Sequence, residues 1–202
     1  MKIREAKTND LKQIAELSIY SFDHSDIMWR MGSSYLEHVF FPSMMDSSLS
    51  KLVVAEENGH VLGYCGYFSD FEAFYKKFNR AKGRMINYGY ALLAVFRLRL
   101  SINDILNVLY NHDKVMRFSG VKAHFGPAAL APEVKSTPRG GFIILSLSRE
   151  VLRLLRVHVG TEACWGVADY RNVQSQKLME LLKFERIGKI KLFGRIDYVY
   201  LK

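Results

Sequence analysis

The chain opens on "MKIREA", where apolar and polar residues alternate as they do on a half-buried strand. "TNDLKQIAELSIYSF" follows with Leu11, Ile14, Ala15 and Leu17 at helical spacing behind a Thr/Asn/Asp start, so a strand leading into a helix is predicted. "SSLSKLVVAEENGHVLGYCGYFSD" predicts two strands, Lys51 to Glu56 and His60 to Phe68. They should pair antiparallel about Asn58-Gly59, since both residues tolerate the positive φ of a tight hairpin turn. From Phe71 to Gly120 the pattern becomes helical, in "FEAFYKKFNRAK", "MINYGYALLAVFRLRL" and "INDILNVLYNHDKVMRF". Met85 to Leu100 is the most apolar of these, but it is too short, and with Arg97 and Arg99 too charged, to cross a bilayer. It reads as a helix packed on the core or lying on a surface.

"VKAHFGPAALAPE" predicts a further strand, and a helix runs from near Gly140 to about Val157. "TEACWGVAD" then reads as a strand and "RNVQSQKLMELLK" as a helix presenting Val173, Leu178, Leu181 and Leu182, before two alternating strands in "FERIGKIKLFGRIDYVYLK". That order describes an α/β (α+β) protein, a mixed sheet with helices on both faces. The 202 residues fit one domain, residues 1–202, with a helical insert at about 71–120.

Composition narrows the class. With 49% hydrophobic and 24% charged residues and four prolines, the chain is an ordinary folded globule. Cys65 and Cys164 show no CxxC or Cys/His ligand spacing, so two buried thiols and no metal site are expected. "MKIREAKTNDLKQ" turns polar after three residues, unlike a secretion signal, and a cytoplasmic setting is the expectation. The net charge of +9 is uneven: from Tyr75 to Lys122 ten Lys/Arg stand against two acids, Asp104 and Asp113. Such a surplus favours an anionic partner: a phosphorylated cofactor, an acidic substrate, nucleic acid or an anionic lipid surface. No recognised nucleic-acid-binding motif accompanies it.

The candidate chemistry lies in "PEVKSTPRGGFIILSLSREVLRLL", Pro132 to Leu155, where a basic Ser/Thr/Gly loop meets the start of an apolar helix. Free N–H groups and the positive end of the helix dipole favour a phosphate there. Lys135 and Arg139 would add charge, and Gly140 and Gly141 would let a ligand approach the backbone. The competing reading is a turn in which Ser136 or Thr137 caps the helix.

Four stretches together resemble the GNAT superfamily of acyl-CoA-dependent N-acetyltransferases. "MKIREAKTNDLKQIAEL" is similar to that family's opening strand and helix, and "KLVVAEENGHVLGYCGY" to its second and third strands. "LAPEVKSTPRGGFIILSL" falls without gaps on its strand, Pro-Glu and Arg/Gln-x-x-Gly-x-Gly/Ala loop, and "NVQSQKLMELLKFERIG" resembles its late Asn-x-x-Ala, Tyr, Gly-Phe signature. The resemblance spans about three quarters of the chain and leaves out the insert. It implies a GNAT-like, mostly antiparallel twisted sheet with the insert between strands 3 and 4.

Acetyl-CoA is the cosubstrate so implied, held by Leu130 and Ala131 through strand backbone, by the loop residues Lys135, Ser136, Thr137, Arg139, Gly140 and Gly141, and by Asn172 at the signature's Asn. The reaction implied is direct attack by the amine of a small acceptor on the thioester, with both substrates bound, and the basic insert suits an anionic acceptor. His124, ahead of the cofactor strand, is the candidate base, a role suited to an imidazole near neutrality. Asp23, His24 and Asp26 are candidates for the acceptor side, as are Tyr75, Arg84, Tyr88 and Tyr90 of the insert.

The sequence also departs from the family. Pro138 replaces a Gly and has no N–H, Met179 stands where many members carry a proton-donating Tyr, and Lys183 replaces a Gly. Tyr64, Tyr67 and Tyr170 are candidates for the missing acid. Two alternatives therefore stand beside the enzyme: a GNAT-fold acyl-CoA binder without turnover, and a binder of anionic polymer or membrane surface through the insert. A homodimer is left open.

Overall fold

The computed structural model describes residues 1–22, 27–96, 120–192 and 195–202. The third predicted insert helix, the cluster Asp23, His24 and Asp26, and the side chain of Arg84 lie outside the described residues.

Seven strands form one sheet in the order β1-β2-β3-β4-β5-β7-β6. They are β1 (Lys2–Glu5), β2 (Ser50–Glu57), β3 (His60–Phe68), β4 (His124–Leu130), β5 (Trp165–Asp169), β6 (Glu185–Leu192) and β7 (Arg195–Leu201). Every pairing is antiparallel except that of β4 with β5. The predicted β2–β3 hairpin is present, with Asn58 at φ 53° and Gly59 at φ 82°. β1 is clamped to this hairpin and to the first helix by Arg4, which donates to both oxygens of Asp10 (2.6 and 2.9 Å) and to Glu56 (3.0 Å). The Arg4 guanidinium holds the Asp10 carboxyl below its ordinary range.

The two faces of the sheet are covered by different helices, and β3 sorts them because its side chains alternate. Tyr64 points to α1 (Leu11–Ser21), its hydroxyl 2.6 Å from Ser18 Oγ. Phe68 points to α5 (Phe71–Phe78), its ring packing against Phe71 edge to face at 5.2 Å and against Phe74 at 4.7 Å. Tyr67 points the other way, to His158 of the long helix over the opposite face. Between α1 and β2 the first face also holds α2 (Ile27–Arg30), α3 (Ser33–Tyr35), a π turn (Leu36–Phe40) and α4 (Phe41–Met45), whose Trp29, Tyr35, Leu36, Phe40, Phe41 and Met44 are buried. No regular pattern in the sequence announced this run.

The first two insert helices are present, as α5 and α6 (Ala81–Phe96), and lie on the α1 face. Phe78 meets Phe40 at 6.1 Å, the Tyr90 ring meets Tyr35 at 5.3 Å, and Tyr35 donates to Asn87 Oδ1 at 3.1 Å. After β4 come α7 (Pro132–Lys135) and α8 (Pro138–Val159), then α9 (Val173–Leu181) between β5 and β6.

α8 buries Ile143, Leu147, Val151, Leu154 and Leu155, spaced as one helical face, against β2 and β3. Each such side chain contributes about 1.5–3 kcal/mol of burial. The helix begins two residues before the predicted Gly140, because Pro138 is preset for the first turn and Thr137 caps it. In α9 the inward face is only partly the one expected: Leu182 is buried and Leu178 packs on the core, but Val173 and Leu181 are exposed and Met179 is buried in their place. Asn172 caps α9, and Met179 packs onto Gly166 of β5.

Candidate active site

β4 has one edge fully paired and one nearly bare. Against β3 it pairs from His124 opposite Phe68 to Leu130 opposite Gly63, but against β5 only at His124 opposite Trp165. The cause is local. Between Phe125 and Ala128, β4 holds one residue more than β3, a bulge at Gly126-Pro127. Gly126 sits at φ 118°, where a side chain is strained, and Pro127 has no N–H for the ladder. Past the bulge β4 turns away from β5 and the two parallel strands part.

The backbone beyond the bulge follows from the alternation of an antiparallel ladder. Ala131 N–H donates to Leu62 C=O at 2.9 Å, so Ala129 also faces β3, while Ala128 and Leu130 face the gap. Leu130 C=O accepts from Ser21 Oγ at 3.1 Å, which ties the end of α1 to the end of β4. Of the two residues expected to offer backbone to a thioester, Leu130 does present its N–H to the gap. Ala131 does not, because its N–H belongs to the sheet.

The loop after β4 folds back on itself. Lys135 N–H donates to Ala131 C=O and Thr137 N–H to Val134 C=O, both at 3.0 Å. Thr137 Oγ1 accepts from Gly140 N–H at 3.1 Å, so the expected capping residue does cap α8. Gly141 N–H reaches Thr137 C=O at 3.2 Å. With Pro138 lacking a donor and Gly140 engaged, the first turn leaves Arg139 N–H pointing outward. Gly140 is required by close approach: a Cβ there would stand 2.0 Å from Val134 O.

Side chains add cations around this turn. Lys135 Nζ lies over the Tyr20 ring at 5.4 Å, and Ser136 is exposed. The Arg139 guanidinium binds Glu57 at 2.6 Å and holds that carboxyl below its ordinary range. A ligand phosphate would therefore have to compete with Glu57 for Arg139.

His124 lies at the closed end of the gap, boxed by Trp165, Phe71 and Phe68 at 4.2, 4.7 and 5.9 Å. Its Nδ1 is buried without a hydrogen-bond partner, as is Trp165 Nε1. Burial pushes the ring down to about 3, so the expectation of an imidazole near neutrality is corrected: this ring is neutral and feebly basic. Asn172 spends its Oδ1 on Ser175 N–H at 3.0 Å, capping α9.

Among the tyrosines, Tyr64 is buried against Ser18 with its hydroxyl held protonated, and Tyr67 is pushed up to about 12 and bonded to His158 Nδ1 at 2.6 Å. Tyr170 alone of those three is exposed, following β5 at the open end of the gap. Met179 is buried beneath β5. Lys183 adopts φ 63°, the left-handed region, which explains why a Gly suits that place.

Sequence reasoning passed over the strand-parting bulge and the Ser21 and Glu57 contacts. Gly126-Pro127 inside a predicted strand was a signal for the bulge; the other two join residues distant in sequence. Among the described residues no group of three or more His, Cys, Asp or Glu could hold a metal ion.

Parting parallel strands, with a bulge on one and a Gly-containing helix start beyond it, define a recognisable architecture, and comparison with solved structures agrees. The chain has the fold of GNAT-family acetyltransferases. It is similar over its whole length to an aminoglycoside 6'-acetyltransferase type Ii, at a TM-score of 0.60 and 12% identity and covering 96% of that chain. It is likewise similar to a GNAT-family acetyltransferase from Bacillus cereus ATCC 10987 (TM-score 0.54, 12% identity, 95% of that chain). A third is the spermidine/spermine N-acetyltransferase SpeG from Vibrio cholerae in mutant form (TM-score 0.55, 13% identity, 93% of that chain). No family model and no curated protein matches the sequence.

Proposed function

We propose that this protein is an acyl-CoA N-acyltransferase that moves an acetyl group from acetyl-CoA to the amine of a small acceptor, by direct attack in a ternary complex. The observation that carries the reading is the bare edge of β4, with Leu130 N–H facing the gap and the capped start of α8 beyond it. Leu130 N–H supplies a fixed donor for the oxyanion that develops on the thioester carbonyl. Lys135, Arg139 and Arg139 N–H meet the pyrophosphate in place of the fuller set of backbone donors that Pro138 removes.

The acceptor amine must lose a proton, and a ring held near 3 is a poor base, so His124 shapes the closed end of the gap while water carries the proton. The departing thiolate, with a thiol pKa near about 8.5, leaves tolerably without an acid. Tyr170, on the rim, is the tyrosine placed to assist it. The basic insert favours an anionic acceptor over a polyamine.

Calorimetric titration of acetyl-CoA, run beside an assay for thiol release on a panel of amines, tests this. Binding with release is expected, and the double variant Lys135→Glu/Arg139→Glu should bind at least about tenfold more weakly with its fold intact. Absence of acetyl-CoA binding would overturn the assignment.

A further inference from the structure

We propose that the outer face of α6 is a docking surface for an anionic lipid bilayer. α6 rests on the protein through one stripe. Ala91 and Ala94 are buried, Asn87 accepts from Tyr35, and Tyr90 packs on Tyr35. The opposite stripe is apolar and faces solvent: Met85 is 76% exposed, Leu92 58% and Leu93 51%, with Ile86 and Tyr88 beside them. These positions recur at helical spacing from Met85 to Leu93, roughly 12 Å of the helix lying along the surface. A contiguous apolar stripe of this kind marks an interaction site.

Charge identifies the occupant. α6 itself contains no Asp or Glu. Lys77 and Arg80 are exposed just before it, and the sequence from Tyr75 to Lys122 carries ten basic residues against two acidic ones. A second copy of this chain, whose net charge is +9, would bring two cationic proteins together, which their repulsion opposes. A nucleic acid would satisfy the cations but would press five apolar side chains against phosphates. An anionic bilayer satisfies both, taking Met85, Leu92 and Leu93 among its headgroups while Lys77 and Arg80 meet the lipid phosphates. No helix among the described residues is long and apolar enough to cross a membrane, so the contact is one of lying on the surface.

The inference is independent of acyl transfer, and its test needs no acyl-CoA. Co-sedimentation of the full chain with mixed phosphatidylcholine–phosphatidylglycerol vesicles should exceed that with pure phosphatidylcholine vesicles and fall as salt is raised. Leu92→Glu/Leu93→Glu should weaken the binding at least about tenfold, and Lys77→Glu/Arg80→Glu roughly tenfold. Both pairs are exposed, so an unchanged thermal midpoint verifies the fold, and Met85→Ser/Tyr88→Ser serves if either pair misfolds.

Binding to anionic vesicles no stronger than to neutral ones overturns the proposal, as does binding that the Leu92/Leu93 pair leaves intact. So would a solution dimer dissolved by that same pair, or tighter binding to duplex DNA than to vesicles.

Discussion

The two edges of β4 lead different lives although they belong to the same seven residues. Along β3 the ladder runs the length of the strand, its backbone groups consumed by structure. Along β5 it stops after His124 and Trp165, and the remaining groups face a gap. The difference comes from a single extra residue at Gly126-Pro127. A bulge costs a few ladder hydrogen bonds, and what it provides is a row of donors held rigid by the paired edge behind them. Rigidity on one side is what would make openness on the other useful to the proposed acyl transfer.

The sharpest way to break this comparison is to remove one N–H from each edge. Leu130→Pro deletes a donor that faces the gap, and Ala129→Pro deletes one that faces β3. Leu130 is also a buried core side chain, so the control is Leu130→Ala, which trims it but keeps the N–H; relative to that control Leu130→Pro should lower kcat by about a hundredfold, the scale of losing one oxyanion donor, at a similar unfolding midpoint. Ala129→Pro should instead cost about 2–3 kcal/mol in urea denaturation by leaving a buried carbonyl unpaired. If Leu130→Pro loses much more stability than Leu130→Ala, the gap-facing edge is not free in the sense argued.

Next in size is the turn beyond the strand. Gly140→Ala puts a methyl group where Val134 O already lies at 2.0 Å, so the α7–α8 junction must open. An over-packing cost of about 1–3 kcal/mol is expected, together with weaker acetyl-CoA binding by calorimetry. Gly141→Ala, where nothing lies within 4 Å, should be nearly silent.

His124 tests the closed end of the gap. Its folded pKa of about 3 lies below an unfolded value near 6.5, so its contribution to stability is complete above pH 6.5 and is lost as pH falls toward 3. Urea denaturation of His124→Gln should therefore vary less between about pH 7 and about pH 5 than that of the unaltered protein, by roughly 1–2 kcal/mol. If its pH–rate profile loses the acidic limb, the ring is the base after all and the water route fails.

What could be read from sequence follows the range of the forces involved. The β2–β3 hairpin announced itself because Asn58-Gly59 and the alternation around it act within a few residues. The cap by Thr137 was legible because a polar residue before an apolar helix acts within its own first turn. The inward face of α9 was misjudged because Val173 and Leu181 are as apolar as Met179. Only the packing of Met179 on Gly166, between distant segments, decides the phase. The low basicity of His124 was out of reach for the same reason: it depends on Phe68, Phe71 and Trp165, which no spacing along the chain brings to it. Binding and catalytic expectations fail at such places because burial and pairing are properties of the fold.

The smallest expected effect concerns a residue that both edges ignore. Lys183 closes α9 in the left-handed region at φ 63°, its N–H bonded to Glu180 C=O at 2.9 Å, and Phe184 N–H returns to Met179 C=O at 2.9 Å. A residue with a Cβ is strained there, whereas Gly is not, and Gly also loses more freedom on folding. Relief of strain outweighs the entropy at a helix end of this geometry, so Lys183→Gly should stabilise the protein by about 0.5–1 kcal/mol. The Lys183 side chain is exposed, so no packing is lost with it. Thermal unfolding should show a higher midpoint, and acetyl-CoA affinity should stay unchanged because the turn lies beyond the gap. A lower midpoint would mean that Lys183 supports the turn through a contact of its side chain, and that the left-handed backbone there is held at no cost.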